Sequence, residues 1–261
     1  MKVNPIGMKR SNFIIIIILF LGSCSSLKTN DTQSITIYMI GDSTMANKKN
    51  PNNNPEHGWG QVLPNFFTEN VIIKNHAVNG RSSKSFRDLK HWKPVLDSLQ
   101  KGDYVFIQFG HNDSKDTDPK RYTNPQTSYR YNLMRYVEEA RAKGAIPVLF
   151  SSIARRKFNA EGVLLDSHGN YTLITRLVAQ EMKVPFIDLQ YATEQLEETY
   201  GVEASKKLHL HFKKGENEYF PDGIEDNTHL SKLGANEVAN LAVKEISRKI
   251  PELKKYSKLN Q

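Results

Sequence analysis

Short β-rich runs alternate with helical patterns along most of the 261-residue chain, and this alternation limits the fold more than any other feature. Apolar and β-branched residues dominate these runs, which is typical of strands. The five predicted strands cover residues 34–39, 71–76, 103–109, 145–150 and 184–189. Strands separated by helices in this way predict a parallel sheet with helices on both faces.

Three helical patterns support this architecture. Apolar residues recur at helical spacing from Tyr129 to Ala140, and a second helix is predicted over residues 170–183. A third begins after Ser231, which is suited to cap it. Residues 155–170 and 208–227 show neither pattern, so we predict irregular segments there that form walls of a binding cleft.

The amino terminus has the pattern of an export signal. Three basic residues among the first ten positions precede an apolar run at 13–21, which is too short to span a bilayer comfortably. The following Leu21-Gly22-Ser23-Cys24 resembles a bacterial lipobox, and Cys24 is the only cysteine in the chain. The alternative is a signal peptide that is cleaved elsewhere.

These features predict three segments: a lipoprotein signal peptide at 1–23, a tether at 24–33 and a folded domain at 34–261. The mature protein would be an exported bacterial lipoprotein, periplasmic or at the cell surface, held to the membrane by acyl chains on Cys24. With 38% hydrophobic residues, the composition is that of a folded protein.

The formal net charge is +8, and removal of the three basic residues of the signal peptide leaves the mature chain near +5 (8 − 3), a modest excess that fits an acidic partner. Anionic polysaccharide, a membrane surface and nucleic acid all meet this condition, but export argues against nucleic acid. An ordinary solvated basic surface would have the same composition. We expect a monomer.

Four short polar stretches follow predicted strands or precede the last helix: Gly41-Asp42-Ser43, Asn79-Gly80-Arg81-Ser82-Ser83, Gly110-His111-Asn112-Asp113 and Asp226-Asn227-Thr228-His229. In open α/β sheets the carboxyl edge of the strands is where ligands and catalytic groups collect. Gly-Asp-Ser alone is weak evidence, because Asp or Ser after a strand is more often a helix cap.

Together the four stretches contain the groups that serine-based acyl transfer requires. Ser43 supplies a hydroxyl, and His229 lies three residues after Asp226, so one turn can hold the carboxylate against the imidazole. The backbone N–H groups of Ser43 and Gly80 and the side-chain amide of Asn112 can hold the oxyanion. Asp222 is the rival carboxylate, but it lacks this spacing.

The four blocks, in this order, resemble the SGNH (GDSL-like) hydrolases. The resemblance implies that Ser43 is the nucleophile, His229 the base and Asp226 the residue that orients it. It also implies an oxyanion hole of Ser43, Gly80 and Asn112. The implied fold is a flavodoxin-like three-layer α/β/α sandwich with a five-stranded parallel sheet, and the implied chemistry needs neither a cofactor nor a metal.

Longer versions of the blocks, at 41–46, 58–61, 80–86, 109–113 and 226–229, resemble the rhamnogalacturonan acetylesterase group. That group removes acetyl esters from the pectin backbone. The chain departs from it at Lys84, where the group often has arginine, so the charge is kept but the planar fork is lost.

The resemblance therefore predicts a serine carbohydrate esterase acting on an acetylated acidic polysaccharide. His111, Arg155 and Arg156 are candidate substrate contacts, the arginines because they follow a predicted strand at the same edge. One alternative is an esterase for another ester, such as xylan acetyl, lipid or thioester. A second alternative is a glycan-binding lipoprotein without catalysis.

Overall fold

A computed structural model of the chain describes residues 1–4 and 34–260. The predicted tether, Cys24 and all but the first four residues of the predicted signal peptide lie outside the described residues. The strands are, in chain order, β1 (Ile35–Gly41), β2 (Glu56–His57), β3 (Val71–Asn75), β4 (Tyr104–Gln108), β5 (Ile146–Phe150), β6 (Phe186–Ile187), β7 (His209–Phe212) and β8 (Ile224–Ser231).

Five of these strands form the central sheet in the order β3-β1-β4-β5-β6. Every neighbouring pair in it is parallel. The five-stranded parallel sheet predicted from the sequence is therefore confirmed. Because β1 lies between β3 and β4, the loops that follow these three strands emerge side by side at one edge.

Helices cover both faces of the sheet, which gives three layers. They are α1 (Trp59–Val62), α2 (Ser83–Asp88), α3 (Trp92–Ser98), α4 (Arg130–Ala142), α5 (Asn170–Met182), α6 (Leu189–Ala204), α7 (Lys232–Lys249) and α8 (Pro251–Lys254). Helices α2 to α5 pack on one face, and α1, α6, α7 and α8 pack on the other. Within the described residues, no helix combines the length and the apolar character needed to cross a bilayer.

The two hydrophobic cores follow from the period of two in β1. Ile37 and Met39 point into the core beneath α7, whereas Tyr38 and Ile40 point into the core beneath α4 and α5. All five residues of β4 are buried, as expected of a central strand in a parallel sheet. Burial on both faces fixes the strand registers, because a slip by one residue would exchange the two faces.

A second, three-stranded sheet of order β2-β8-β7 lies outside the central one. Its strands are antiparallel, and β7 and β8 form a hairpin. The prediction of irregular structure over 208–227 is therefore wrong in part. The pairing was missed because β8 is polar over most of its length, so hydrophobic alternation does not mark it.

The carboxyl end of β8 continues directly into α7. The Ser231 hydroxyl accepts a hydrogen bond from the Gly234 backbone N–H (3.1 Å), which is the N-cap predicted from the sequence. This junction fixes the direction of β8 relative to the sheet, since α7 packs along one of its faces. Residues 155–169 are mostly irregular, as predicted.

We expect Gly234→Ala to destabilise the protein by about 1–3 kcal/mol, because a Cβ at Gly234 would lie 2.0 Å from the Leu208 carbonyl oxygen. In an open helix the same change would stabilise, by roughly 0.5–1 kcal/mol. Urea unfolding followed by circular dichroism measures the difference. Lys232→Ala, at an exposed position of the same helix, is the control, and a stabilised Gly234→Ala protein would contradict the expected packing.

Candidate active site

The four polar blocks meet in one cleft of about 470 Å³ at the carboxyl edge of the central sheet. Ser43 comes from the end of β1, Gly80 from the loop after β3 and Asn112 from the loop after β4. Asp226 and His229 come from β8. Residues more than 180 positions apart in the chain thus line one small volume, which we call the cleft.

Three side chains in the cleft form a continuous hydrogen-bonded chain. Ser43 Oγ lies 2.8 Å from His229 Nε2, and His229 Nδ1 lies 2.6 Å from Asp226 Oδ2. A carboxylate only accepts, so Nδ1 carries the proton that bonds to Asp226. Nε2 is then the free acceptor that faces the serine hydroxyl, which is the arrangement a general base requires.

The Asp226 carboxylate is held in its charged form. Burial alone would raise its pKa, but hydrogen bonds from the His229 ring and the backbone outweigh burial and hold the pKa well below its usual range. Its Oδ1 accepts from the backbone N–H groups of Thr228 (2.7 Å) and His229 (2.9 Å). The spacing of three residues therefore fixes both oxygens of one carboxylate within a single turn.

Three donors border the Ser43 hydroxyl on the other side. Within residues 34–260, neither the Ser43 nor the Gly80 backbone N–H makes a hydrogen bond, so both are available to a ligand. Asn112 Nδ2 uses one proton on the Arg81 carbonyl (3.1 Å), which leaves its second proton free. Gly80 has φ of +73°, a conformation that side chains other than glycine rarely adopt.

A buried polar network supports the turn that holds Ser43. Asp42 Oδ1 accepts from the backbone N–H (3.0 Å) and the hydroxyl (2.9 Å) of Thr44. The Thr44 hydroxyl accepts from Gln108 Nε2 (2.8 Å), whose Oε1 accepts from Trp59 Nε1 (2.7 Å). Trp59 is thus a buried support for the turn, and Asp42 braces the loop instead of facing substrate.

Lys48 is a site residue that the sequence did not indicate. Its buried ammonium donates to the Ser43 carbonyl (2.6 Å) and to Asn79 Oδ1 (2.9 Å), and it pairs with Glu56 (2.7 Å). It therefore ties the turn of Ser43 to the residue before Gly80. A single lysine in a polar, Asn-Pro-rich run carries no pattern that would have identified it.

Asp113 links the second and third blocks. Its carboxylate accepts from the Ser83 hydroxyl (2.6 Å), the Ser83 backbone N–H (3.1 Å) and the Thr123 hydroxyl (2.7 Å). Burial raises its pKa to about 6, although these hydrogen bonds oppose the shift. The residue joins the start of α2 to the loop after β4 and does not line the cleft.

His111 lines the cleft and belongs to a buried histidine pair. Its Nδ1 lies 2.9 Å from His168 Nε2, and the two rings meet edge to face. Burial lowers the pKa of His168 to about 3, and it lowers the pKa of His111 well below the ordinary value. Both rings are consequently neutral at physiological pH.

The two candidate arginines occupy different places. Arg155 lines the cleft, where Nη1 donates to the Thr228 hydroxyl (2.5 Å) and Nη2 to the His111 carbonyl (3.2 Å). Arg156 is buried outside the cleft and donates to protein groups of its own surroundings. These acceptors are the Ser205 hydroxyl, Asn227 Oδ1 and the Val202 carbonyl. Because Arg156 does not line the cleft, we do not include it among the proposed substrate contacts.

Two cations line the cleft that the sequence analysis did not select, Lys115 and Arg121. Nothing in their local sequence distinguishes them from other surface cations. Among the described residues, no group of three or more His, Cys, Asp or Glu side chains could hold a metal ion. Outside the cleft, the His209 ring pairs with buried Glu197 at 2.6 Å, and the His211 ring lies 2.8 Å from the Asn227 side chain.

Residues 39–236 match the model of the GDSL-like Lipase/Acylhydrolase family. Rhamnogalacturonan acetylesterase RhgT of Bacillus subtilis (strain 168) is 41% identical over 212 residues, which cover 81% of this chain and 89% of RhgT. Among solved structures, protein YxiM of Bacillus subtilis superposes with a TM-score of 0.71 at 28% identity, covering 82% of this chain and 56% of that one. Axe2, an acetylxylan esterase from Geobacillus stearothermophilus, shares the fold (TM-score 0.59, 17% identity, 82% and 96% covered).

We expect stability to fall as the pH decreases from about 6.5 towards 3. Over this range the unfolded chain binds a proton at His168 that the folded protein excludes, which costs up to about 1.4 kcal/mol per pH unit. Urea unfolding of the wild type and His168→Gln at several pH values measures this. The variant should show a smaller loss on acidification, and two parallel curves would contradict the neutral buried pair.

We expect Lys48→Met to lower kcat for ester hydrolysis by roughly 10- to 100-fold, because the Ser43 turn and the Gly80 loop lose their shared anchor. Steady-state kinetics on a small acetyl ester measures the change. Lys49→Met, at the exposed neighbouring position, is the matched control. Full activity of a folded Lys48→Met protein would show that the anchor is dispensable.

Proposed function

The chain belongs to the GDSL-like lipase/acylhydrolase family and is a carboxylic ester hydrolase, and we propose that it removes acetyl groups from an acidic polysaccharide of the pectic type. The observation that carries the mechanism is the hydrogen-bonded chain from Ser43 through His229 to Asp226. The relationship to RhgT supports the acetyl ester and the polymer.

In the proposed mechanism Ser43 attacks the acetyl carbonyl while its proton moves to His229 Nε2. The positive charge that forms on the imidazole is stabilised by Asp226, whose carboxylate already accepts the Nδ1 proton at 2.6 Å. The negative charge on the carbonyl oxygen is met by the free N–H groups of Ser43, Gly80 and Asn112. These donors are fixed before substrate arrives, so little reorganisation opposes the step.

Collapse of the tetrahedral intermediate then breaks the bond to the sugar. His229 returns its proton to the departing sugar oxygen, and acetyl remains on Ser43. A water molecule gives a proton to His229 as it attacks the acetyl-enzyme; the bond from the acyl carbon to Ser43 Oγ then breaks, His229 returns the proton to Oγ, and acetate leaves. The same donors stabilise both tetrahedral intermediates, since both place the oxyanion at the same position.

An acidic sugar polymer is favoured by the charge of the cleft. Lys115, Arg121 and Arg155 line it, whereas the carboxylates there, Glu56 and Asp226, are engaged by Lys48 and His229. A lipase would instead need an extended apolar acyl site. Acetylated xylan is the second candidate, because Axe2 shares the fold, but a neutral chain gives these cations no counter-charge.

We further propose that the enzyme is exported and anchored through acyl chains on Cys24, with residues 1–23 removed and 24–33 as a tether. The support is the sequence alone: a basic start, a short apolar run and Leu21-Gly22-Ser23-Cys24. An enzyme placed there would meet polymers that do not enter the cell.

We expect the wild type to release acetate from acetylated rhamnogalacturonan much faster than from acetylated xylan or an acetylated neutral hexose. Ser43→Ala should lower this release by on the order of 10⁴-fold or more, since the nucleophile is lost. Enzymatic acetate quantification on all three substrates measures both expectations. Ser128→Ala, at an exposed serine, is the control and should behave as the wild type.

The two parts of the proposal fail separately in this experiment. Equal release from all three substrates, lost in Ser43→Ala, keeps the mechanism and contradicts the pectic substrate. Release that persists in Ser43→Ala contradicts the assignment of the nucleophile.

A further inference from the structure

A second concave surface of about 490 Å³ continues from the cleft, with which it shares Gly80 and Arg121. It lies between the start of α2 and residues 118–121. Four cations line it: Arg81, Lys84, Lys120 and Arg121. We call this surface the basic groove.

Most of the positive charge in the basic groove has no carboxylate partner. Arg121 pairs with Asp118, but the Lys84 ammonium donates to the neutral Pro119 carbonyl (2.8 Å). Within residues 34–260, neither Arg81 nor Lys120 forms an ion pair. Asp88 alone contributes an acidic group that is not paired within the described part of the chain. The groove therefore has an excess of positive charge that the described part of the chain does not neutralise with ion pairs.

Arg81 is placed to receive a ligand that already occupies the cleft. Arg81 is the residue after Gly80, and its backbone carbonyl accepts a hydrogen bond from the Asn112 side-chain amide at 3.1 Å. Its Nε is buried and has no hydrogen-bond partner among the described residues. Its Nη1 and Nη2 form no hydrogen bond within residues 34–260 either, so these terminal donors remain available to a ligand carboxylate or hydroxyl in the groove.

The groove also offers apolar surface of the kind that packs on sugar C–H groups. Leu89 is 54% exposed on the α2 side, and Pro119 is exposed on the opposite wall. Cations combined with small apolar contacts suit a carboxylated sugar better than a simple inorganic anion.

We propose that the basic groove binds acidic sugar units of the polymer on one side of the acetylated unit held in the cleft. The proposal rests on the proposed function, since it assumes that the cleft holds a sugar ester. Arg81 and Lys120 bind the carboxylates, and Lys84 adds charge while it ties the two walls together. In this arrangement the polysaccharide passes over Gly80, where the absence of a Cβ leaves room for close approach.

An anionic membrane surface is the competing partner for a basic patch on an anchored protein. The groove is concave and opens into the cleft, whereas a bilayer presents a flat surface. We therefore favour the polysaccharide, and membrane binding is one of the outcomes that the test distinguishes.

Calorimetric titration with a linear oligogalacturonate that carries no acetyl groups tests the groove without using esterase activity. We expect Arg81→Gln/Lys120→Gln to bind it about five- to tenfold more weakly than the wild type, with a weaker dependence on salt. Lys101→Gln/Lys143→Gln, which removes two exposed cations at the opposite edge of the sheet, should bind as the wild type does. A neutral xylo-oligosaccharide should not distinguish the variants.

Unchanged oligogalacturonate binding in the double variant would overturn the proposal. So would binding of the wild type to phosphatidylglycerol vesicles without binding to the oligosaccharide. Hydrolysis of a small acetyl ester reports whether the Gly80 loop is intact. If this hydrolysis is slower in the double variant, the single variant Lys120→Gln is used for the binding comparison. A loss of oligogalacturonate affinity of less than about twofold in Lys120→Gln would then overturn the proposal.

Failure of the proposed function has a different signature. The wild type would then bind oligogalacturonate through the basic groove but release no acetate from the acetylated pectic polymer. That result would contradict the proposed substrate and would still support binding of acidic sugars in the groove.

Discussion

The parallel pairing of β3, β1 and β4 is the constraint on which the site depends. β1 and β4 bury side chains on both faces of the sheet, and β3 is paired to β1 along its whole length, so the three loops at their carboxyl ends have fixed relative positions. Ser43, Gly80 and Asn112 are each carried by one of these loops. Groups from three separate loops can line one cleft at fixed separations only if the strands beneath them do not move.

The remaining two residues reach the cleft by a different route. Asp226 and His229 lie on β8, which is outside the central sheet and is positioned by its hairpin partner and by α7. The dense packing of α7 on the sheet therefore controls where the imidazole meets Ser43. Beneath the site, buried charges are each held by specific groups: Lys48 by a carbonyl, an amide and Glu56, and Asp113 by hydroxyl and N–H donors. Such support keeps the cleft rigid, because an unpaired buried charge would be far more costly than its paired form.

Much of the fold could be predicted from the sequence, and the reasons are local. The strands of the central sheet are apolar runs bounded by polar and glycine residues, so their existence and their positions along the chain follow from composition and spacing. Family membership was also predicted, because four short blocks in a fixed order are specific together although each is weak alone. The β7–β8 hairpin was missed because β8 is mostly polar and carries no hydrophobic alternation that would mark it as a strand. Lys48 and the basic groove were missed because single cations in polar segments have no periodicity. Arg156 was selected because it follows a strand at the edge of the sheet that carries the cleft, but its side chain is buried among protein groups outside the cleft.

The sequence by itself determined the strand order along the chain, the chemistry of the four blocks and the three-residue spacing of Asp226 and His229. That spacing is a local property: one turn of backbone sets the contact between carboxylate and imidazole wherever the turn is placed. Only the tertiary structure decided that Ser43 Oγ lies 2.8 Å from His229 Nε2, across 186 residues of chain. It also decided which cations face the cleft and which are buried in protein contacts. Those distances depend on sheet register and helix packing, which are sums of many weak non-local contacts that no short stretch of sequence contains.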